Sequence, residues 1–261
     1  MNGILLTVIG FASIFIATTL GAALVFFFNK DISKGINALL MGFAAGIMIA
    51  ASVWSLLIPS IEGASGYGAL SFLPAVSGFI LGGFFLVFLD KVVPHFLTEE
   101  TNNEKNEEFE KRIKMFIAIT VHNVPEGLAV GFAFGSAAVI GTYAVFLSAL
   151  GLAVGIAIQN FPEGAAVSLP LKATTGKTVK SFLFGSLSGA VEPVAAVAGY
   201  YLASALTVIQ PWLLSFAAGA MIFVVAEDLI PDAVYDKKPH IGTWGTMIGF
   251  AIMMALDVAL G

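Results

Sequence analysis

The chain has 261 residues, 58% of them hydrophobic and 11% charged, and its mean hydropathy is +0.95. Soluble domains are about half apolar and about a quarter charged, so a water-soluble globule is excluded and a polytopic membrane protein is expected. A net charge of −5 without a basic stripe argues against nucleic-acid partners, and the absence of Cys excludes disulfides, thiolate metal sites and cysteine catalysis.

Eight spans of bilayer-crossing length are expected, giving an all-α helical bundle in one transmembrane domain, residues 1–261. They run Ile4–Phe28, Ile36–Pro59, Leu70–Val93, Lys114–Gly135, Thr142–Leu169, Val179–Leu206, Trp212–Pro231 and Ile241–Leu260. The first lacks a charged segment before its apolar run, so it reads as a retained span and not as a cleaved signal peptide. The break at Gly135–Gly141 is the least distinct, because its turn is short and apolar.

The cations set the orientation. Lys30 and Lys34 follow span one, and Lys91, Lys105, Lys111, Arg112 and Lys114 surround the junction of spans three and four. Lys172, Lys177 and Lys180 lie between spans five and six, and Lys237 and Lys238 between seven and eight. Every Lys and Arg thus falls on alternate loops. The positive-inside rule makes those loops cytoplasmic and both termini external. The loop Thr98–Ile113 is rich in Glu and reads as a solvated cytoplasmic linker; a weak cation-collecting surface is the sharper alternative.

Two polar islands interrupt spans four and five. HNVPEG holds His122, Asn123, Pro125, Glu126 and Gly127; QNFPEG holds Gln159, Asn160, Pro162, Glu163 and Gly164. On a helix His122 and Glu126 are four apart and Asn123 and Glu126 three apart, so they share a face, and Gln159, Asn160 and Glu163 repeat that face. Each Pro lacks an N–H and clashes with the carbonyl four residues back, at Val121 and Ile158. Imidazole nitrogen, amide oxygen and carboxylate form a ligand set for a borderline dication such as Zn²⁺.

Span six adds Glu192 beside Pro193. Glu126 lies about 12 residues, or about 18 Å, from the inner end of its span; Glu163 and Glu192 lie roughly 9 and 12 residues, about 14 and 18 Å, from their inner Lys. Three carboxylates at one depth repel unless a cation joins them. One dication offsets two charges and two would overcompensate, so one-metal and two-metal sites both stay open, with Glu126 and Glu163 as candidate bridges. A lone glutamate would read equally well as protonated helix glue; three in register with two Asn do not.

The remaining polar groups carry weaker signals. Glu62 and Asp257 lie towards the external side, while Asp90, Glu227, Asp228, Asp232 and Asp236 lie towards the inner side. They would line an entry funnel and an exit path, or serve as ordinary interfacial acids. Met48 and Ser55 share a face of span two, where Met48 is a soft ligand or core packing. His95 and His240 lie at cytoplasmic span ends. Gly42/Gly46, Gly127/Gly131, Gly131/Gly135, Gly151/Gly155 and Gly185/Gly189 are GxxxG pairs that suit a compact bundle or a homodimer.

HNVPEGLAVG, AIQNFPEGAAVSLPL and SGAVEPVA resemble the ZIP (Zrt-, Irt-like protein) metal transporters, and within them the bacterial GufA-like subgroup. The resemblance runs along the whole chain. It implies eight spans in a three-plus-two-plus-three arrangement, the outer triplets related by an inverted repeat, with a site near the bilayer midplane on helices four, five and six. It implies uptake into the cytoplasm across the cell membrane of Zn²⁺, with Fe²⁺, Mn²⁺ and Cd²⁺ as alternatives, and no organic cofactor. It implies His122, Asn123, Glu126, Gln159, Asn160, Glu163 and Glu192 as metal residues, joined by Met48, with Ser55 at the external entrance. Two positions depart from the family pattern. Asn160 stands where some relatives have Asp or His, and Ala226 where many carry His.

Two other functions compete. A membrane metallohydrolase needs a metal-bound water and a base, for which Glu126 would serve, but HExxH is absent and His122 is the only His at membrane depth. A channel would conduct through the carboxylate chain without saturating at low metal.

Overall fold

The computed structural model describes residues 3–28, 33–97, 104–235 and 237–260. Helix α1 is Gly3–Ala23, extended by a 3₁₀ turn at Leu24–Phe26. Helix α2, Lys34–Ala51, runs through a π-helical segment, Ser52–Leu57, into α3, Ile58–Gly63. Then come α4 (Phe72–Leu97), α5 (Glu104–Ile140), α6 (Tyr143–Thr175), α7 (Thr178–Gly189) and α8 (Val191–Ala205). Helix α9, Gln210–Val224, passes through a second π segment, Val225–Leu229, into α10, Ile230–Asp232, and α11 is Ile241–Leu260. The described residues contain no strand.

Seven of these rods are long and apolar enough to cross a bilayer: Gly3–Phe26, Lys34–Gly63, Ile119–Ile140, Tyr143–Lys172, Thr178–Ala205, Gln210–Asp232 and Ile241–Ala259. Phe72–Phe88 of α4 adds a shorter apolar stretch where the third span is expected. The chain is therefore an all-α polytopic membrane bundle.

Several boundaries differ from the sequence reading, each for a local reason. Pro59 does not end span two. A proline clashes with the carbonyl four residues back, and the wide π turn before Pro59 removes that clash, as the second π segment does before Pro231. Helix α5 starts at Glu104, so the C-terminal part of the expected loop Thr98–Ile113 is helical; Thr98–Asn103 lies outside the described residues. It also continues past Gly135 to Ile140, and only Gly141 (φ +75°) and Thr142 separate it from α6. Span six breaks at Ala190, whose N–H donates to the Leu187 carbonyl, three residues before Pro193, which has no N–H to donate to the Gly189 carbonyl and crowds it.

The helices pair closely as α2 with α11, α4 with α9, α1 with α6 and α5 with α8. Helices α5 and α6 also pack on each other, and α1 touches α8. Backbones meet where side chains vanish. A methyl group on Gly46 would fall 2.0 Å from the Thr246 carbonyl oxygen, and one on Gly219 1.9 Å from that of Phe79. Gly46 ends the run Phe43-Ala44-Ala45-Gly46, and Gly219 ends Phe216-Ala217-Ala218-Gly219. One short phrase thus seats α2 on α11 and α9 on α4.

The distribution of polarity is that of a protein solvated by lipid. Large apolar side chains such as Ile4, Val8, Phe84, Phe88, Val194 and Val258 face outward. Glu126, Glu163, Glu192, Asn123, Gln159 and Asn160 are buried, beside a core that includes Phe132, Phe134, Leu152, Ile156 and Met221.

Candidate metal-binding site

The site is built where α5 and α6 lie side by side. Both helices continue through their internal prolines, Pro125 and Pro162, so the three- and four-residue spacings of the islands hold and the polar side chains share a face. Glycine sets how close their partners come. A Cβ on Gly127 would lie 2.4 Å from the Glu192 carbonyl oxygen on α8, and one on Gly164 2.0 Å from the Thr18 carbonyl oxygen on α1. The Gly after each Glu therefore lets α8 and α1 reach the islands.

Glu126 Oε1 accepts a hydrogen bond from Gln159 Nε2 at 2.7 Å, which ties the two islands together. Asn123 Nδ2 donates to the Ser188 carbonyl at 2.9 Å and to Glu192 Oε1 at 3.1 Å. Asn160 Nδ2 donates to the Ile14 carbonyl at 3.4 Å and to Glu192 Oε2 at 2.5 Å. The Thr18 hydroxyl lies 3.1 Å from Glu192 Oε1 and 3.1 Å from the Ile14 carbonyl. Both Glu163 and Glu192 lie within electrostatic range of Glu126.

Four oxygens in this cluster have no hydrogen-bond partner: Asn123 Oδ1, Glu126 Oε2, Gln159 Oε1 and Asn160 Oδ1. Leaving a buried acceptor unpaired costs about 1–3 kcal/mol, and more when it is charged. Four on two adjoining helices is a costly arrangement for a structural core, and a suitable one for a cation that takes oxygen ligands. All four residues are at most 1% exposed, so water does not offset that cost from outside.

The other expected residues fall as follows. The backbone of His122 lies in α5 next to Asn123, and its side chain lies outside the described residues. Met48 is fully buried on α2, which packs against α6. Among the described residues, no three His, Asp or Glu side chains come together closely enough to hold a metal by themselves. Among the described side chains, the unpartnered amide oxygens of Asn123, Gln159 and Asn160 are the groups available to join Glu126 and Glu163.

Ser55 and Asp257, expected separately near the external side, are joined: the Ser55 hydroxyl donates to Asp257 Oδ1. Glu62 is exposed. Glu227 and Asp232 are exposed and Asp228 is half-buried, around the second π segment. His240 is exposed; the side chains of Asp90 and His95, and all of Asp236, lie outside the described residues.

Residues 111–257 match a family model described as "ZIP Zinc transporter". Zinc transporter ZIP11 of Homo sapiens is 36% identical, over 94% of this chain and 94% of its own length. Zinc transporter ZIPB of Bordetella bronchiseptica is 37% identical, over 97% of this chain and 81% of its own length. Zinc transporter GufA of Myxococcus xanthus is 31% identical, over 94% of this chain and 95% of its own length.

The chain belongs to the ZIP family.

It is a membrane transporter and not an enzyme, which removes the hydrolase alternative. Within this ZIP chain the sequence reading missed Thr18, a residue of α1 that reaches Glu192. Threonine in an apolar helix commonly bonds its own carbonyl four residues back, as Thr18 also does at Ile14, so its type and spacing carry no distinguishing signal. The reading also took Gly127 as one of several generic small-residue pairs and gave Gly164 no packing role. Their position directly after Glu in both islands was the available clue.

Proposed function

We propose that the chain takes up divalent cations, zinc foremost, into the cytoplasm through a site between α5, α6 and α8. The observation that carries this reading is the set of four unpartnered buried oxygens, Glu126 Oε2 and three amide oxygens of the two islands. A dication offsets the two carboxylates and gives the amide oxygens the partner they lack. His122 and Met48 supply softer ligands that favour Zn²⁺ over Mg²⁺ or Ca²⁺, with Fe²⁺, Mn²⁺ and Cd²⁺ as competing cargo. The three relatives above are also named zinc transporters.

The architecture of this proposal has eight spans, α4 being the third, with both termini outside the cell membrane and the Lys-bearing loops in the cytoplasm. Its outer triplets form an inverted repeat. The repeated phrase that seats α2 on α11 and α9 on α4, and the two π segments before Pro59 and Pro231, support that relation. Ser55 and Asp257 stand at the outer end of the path, and Glu227, Asp228 and Asp232 at the inner end. Rocking of one helix group against the other around the site would expose it to each side in turn.

The test is ⁶⁵Zn uptake into proteoliposomes by Glu126→Ala, Glu163→Ala and the double variant, normalised to folded protein. Uptake at background is expected for the double variant. Full uptake by a folded double variant would remove the proposal.

A further inference from the structure

We infer that Glu192 is a positioning residue and not a metal ligand: it holds Asn123 and Asn160 with their amide nitrogens turned away from the cation, and the site takes one ion. This rests on the metal-transport reading above.

Asn123 Nδ2 is 2.9 Å from the Ser188 carbonyl oxygen and Asn160 Nδ2 is 3.4 Å from the Ile14 carbonyl oxygen. A carbonyl only accepts, so the NH₂ end of each amide, not its oxygen, points to the neighbouring helix. Each NH₂ has a second hydrogen, and both second hydrogens reach Glu192, one on each carboxylate oxygen. The Thr18 hydroxyl shares its proton between Oε1 and the Ile14 carbonyl. Both Glu192 oxygens are thus engaged by fixed donors. Glu192 is accordingly missing from the buried atoms without a partner, where Glu126 Oε2 and both asparagine oxygens are found.

Symmetry of contact explains why one carboxylate suffices. Thr18 follows Ile14 by the same four residues that separate Glu192 from Ser188. Gly164 abuts the Thr18 carbonyl as Gly127 abuts that of Glu192. Thr18 on α1 and Glu192 on α8 therefore occupy matching places against the two islands. The hydroxyl on one side donates to the carboxylate on the other, and Glu192 serves both asparagines. Its consequence is chemical: an amide turned the other way would aim two N–H donors at a cation and repel it. The clamp also joins α1, α5, α6 and α8, the same helices that pack together as a group.

Glu192→Gln tests this. A glutamine can accept on one atom only. Its own NH₂ then confronts one of the two asparagines, which must turn and offer nitrogen to the site. The purified protein is titrated with Zn²⁺ and with Mn²⁺, bound metal is counted by mass spectrometry, and crystals soaked in Cd²⁺ are read by anomalous scattering. One ion per wild-type chain is expected, with no Glu192 oxygen in its coordination shell. Glu192→Gln should still bind one ion, with affinity lower by roughly 10- to 100-fold, the usual effect of disturbing a residue that orients ligands. Mn²⁺ affinity should fall further than Zn²⁺ affinity, because a hard oxygen ligand is lost; a purely structural role would weaken both alike. Thr18→Val, nearly equal in shape, should give a smaller loss in the same direction. Two ions per wild-type chain, a metal at bonding distance from a Glu192 oxygen, or unchanged affinity in folded Glu192→Gln would each overturn the clamp while leaving metal transport intact. No ion bound by the wild type would overturn both.

Discussion

Gly164→Ala should loosen the site by pushing α1 off α6. The added Cβ would lie 2.0 Å from the Thr18 carbonyl oxygen and 2.9 Å from the Ala22 nitrogen, whereas real Cβ contacts almost never fall under 3.0 Å. Both obstacles are backbone, so no side chain can swing aside, and α1 must withdraw by about 1 Å. Overpacking of this kind costs about 1–3 kcal/mol. The displacement also has a functional reading. Asn160 already sits 3.4 Å from the Ile14 carbonyl, at the limit of a hydrogen bond, and an ångström more breaks it. The Thr18 hydroxyl, 3.1 Å from Glu192, withdraws with the same helix. Gly82 and Gly83 on α4 supply controls. A Cβ on Gly82 would meet the Phe216 carbonyl oxygen at 2.0 Å, while one on Gly83 finds its nearest atom, Phe223 Cδ2, at 3.6 Å. The assay is thermal unfolding in detergent together with Zn²⁺ affinity per folded molecule. Gly164→Ala should lower both. Gly82→Ala should lower the melting temperature and leave affinity unchanged, and Gly83→Ala should melt at or slightly above the wild type. The reasoning is refuted if Gly164→Ala melts and binds like the wild type, or if Gly83→Ala falls as far as Gly82→Ala.

One further outcome rests on the proposed ligands and two on hydrogen bonds between helices. Imidazole and carboxylate bind a dication only after losing their protons, so uptake should fall and proton release on Zn²⁺ binding should rise as pH drops from about 7 to about 5; uptake flat over that range would count against carboxylate ligation. Lys172→Met removes an ammonium that donates to the Val25 carbonyl at 2.8 Å and the Phe28 carbonyl at 3.3 Å, beyond the end of α1. It should cost about 1 kcal/mol, read as a lower melting temperature with Zn²⁺ affinity retained. Ser60→Ala loses the 2.6 Å bond to the Pro211 carbonyl that pins α3 to α9 and should cost about 1 kcal/mol in the same measurement.

Much of this architecture was legible in the residues because a bilayer tolerates few patterns. Long apolar runs had to be helices, and polar side chains inside them had to meet something other than lipid, so the islands around Glu126 and Glu163 stood out. The pairing of one helix with another was not legible. It rests on glycines that meet carbonyls, and any apolar helix is full of small residues. The repeat of Phe-Ala-Ala-Gly at Phe43–Gly46 and Phe216–Gly219 was present in the letters, yet it acquires meaning only when both copies are seen against backbone. The end of span two, expected at Pro59, was displaced for a related reason: the chain adopts a wider π turn before that proline and the helix continues through it. The engagement of Glu192 was hidden because it depends on which way two amides are turned. Composition and spacing are blind to that rotation.

The brevity of the link between α5 and α6 bears on how the molecule is made. With only Gly141 and Thr142 between them, the two helices leave the ribosome as one hairpin, and α8 follows later. Glu126 and Gln159 then enter the bilayer as mates within a single inserting unit. Asn160 meets the backbone of α1, already synthesised, whereas Asn123 awaits the Ser188 carbonyl of α7, and both await the carboxylate of a helix still untranslated. The order of translation thereby becomes an order of assembly, in which the arrival of α8 is the event that completes the polar interior.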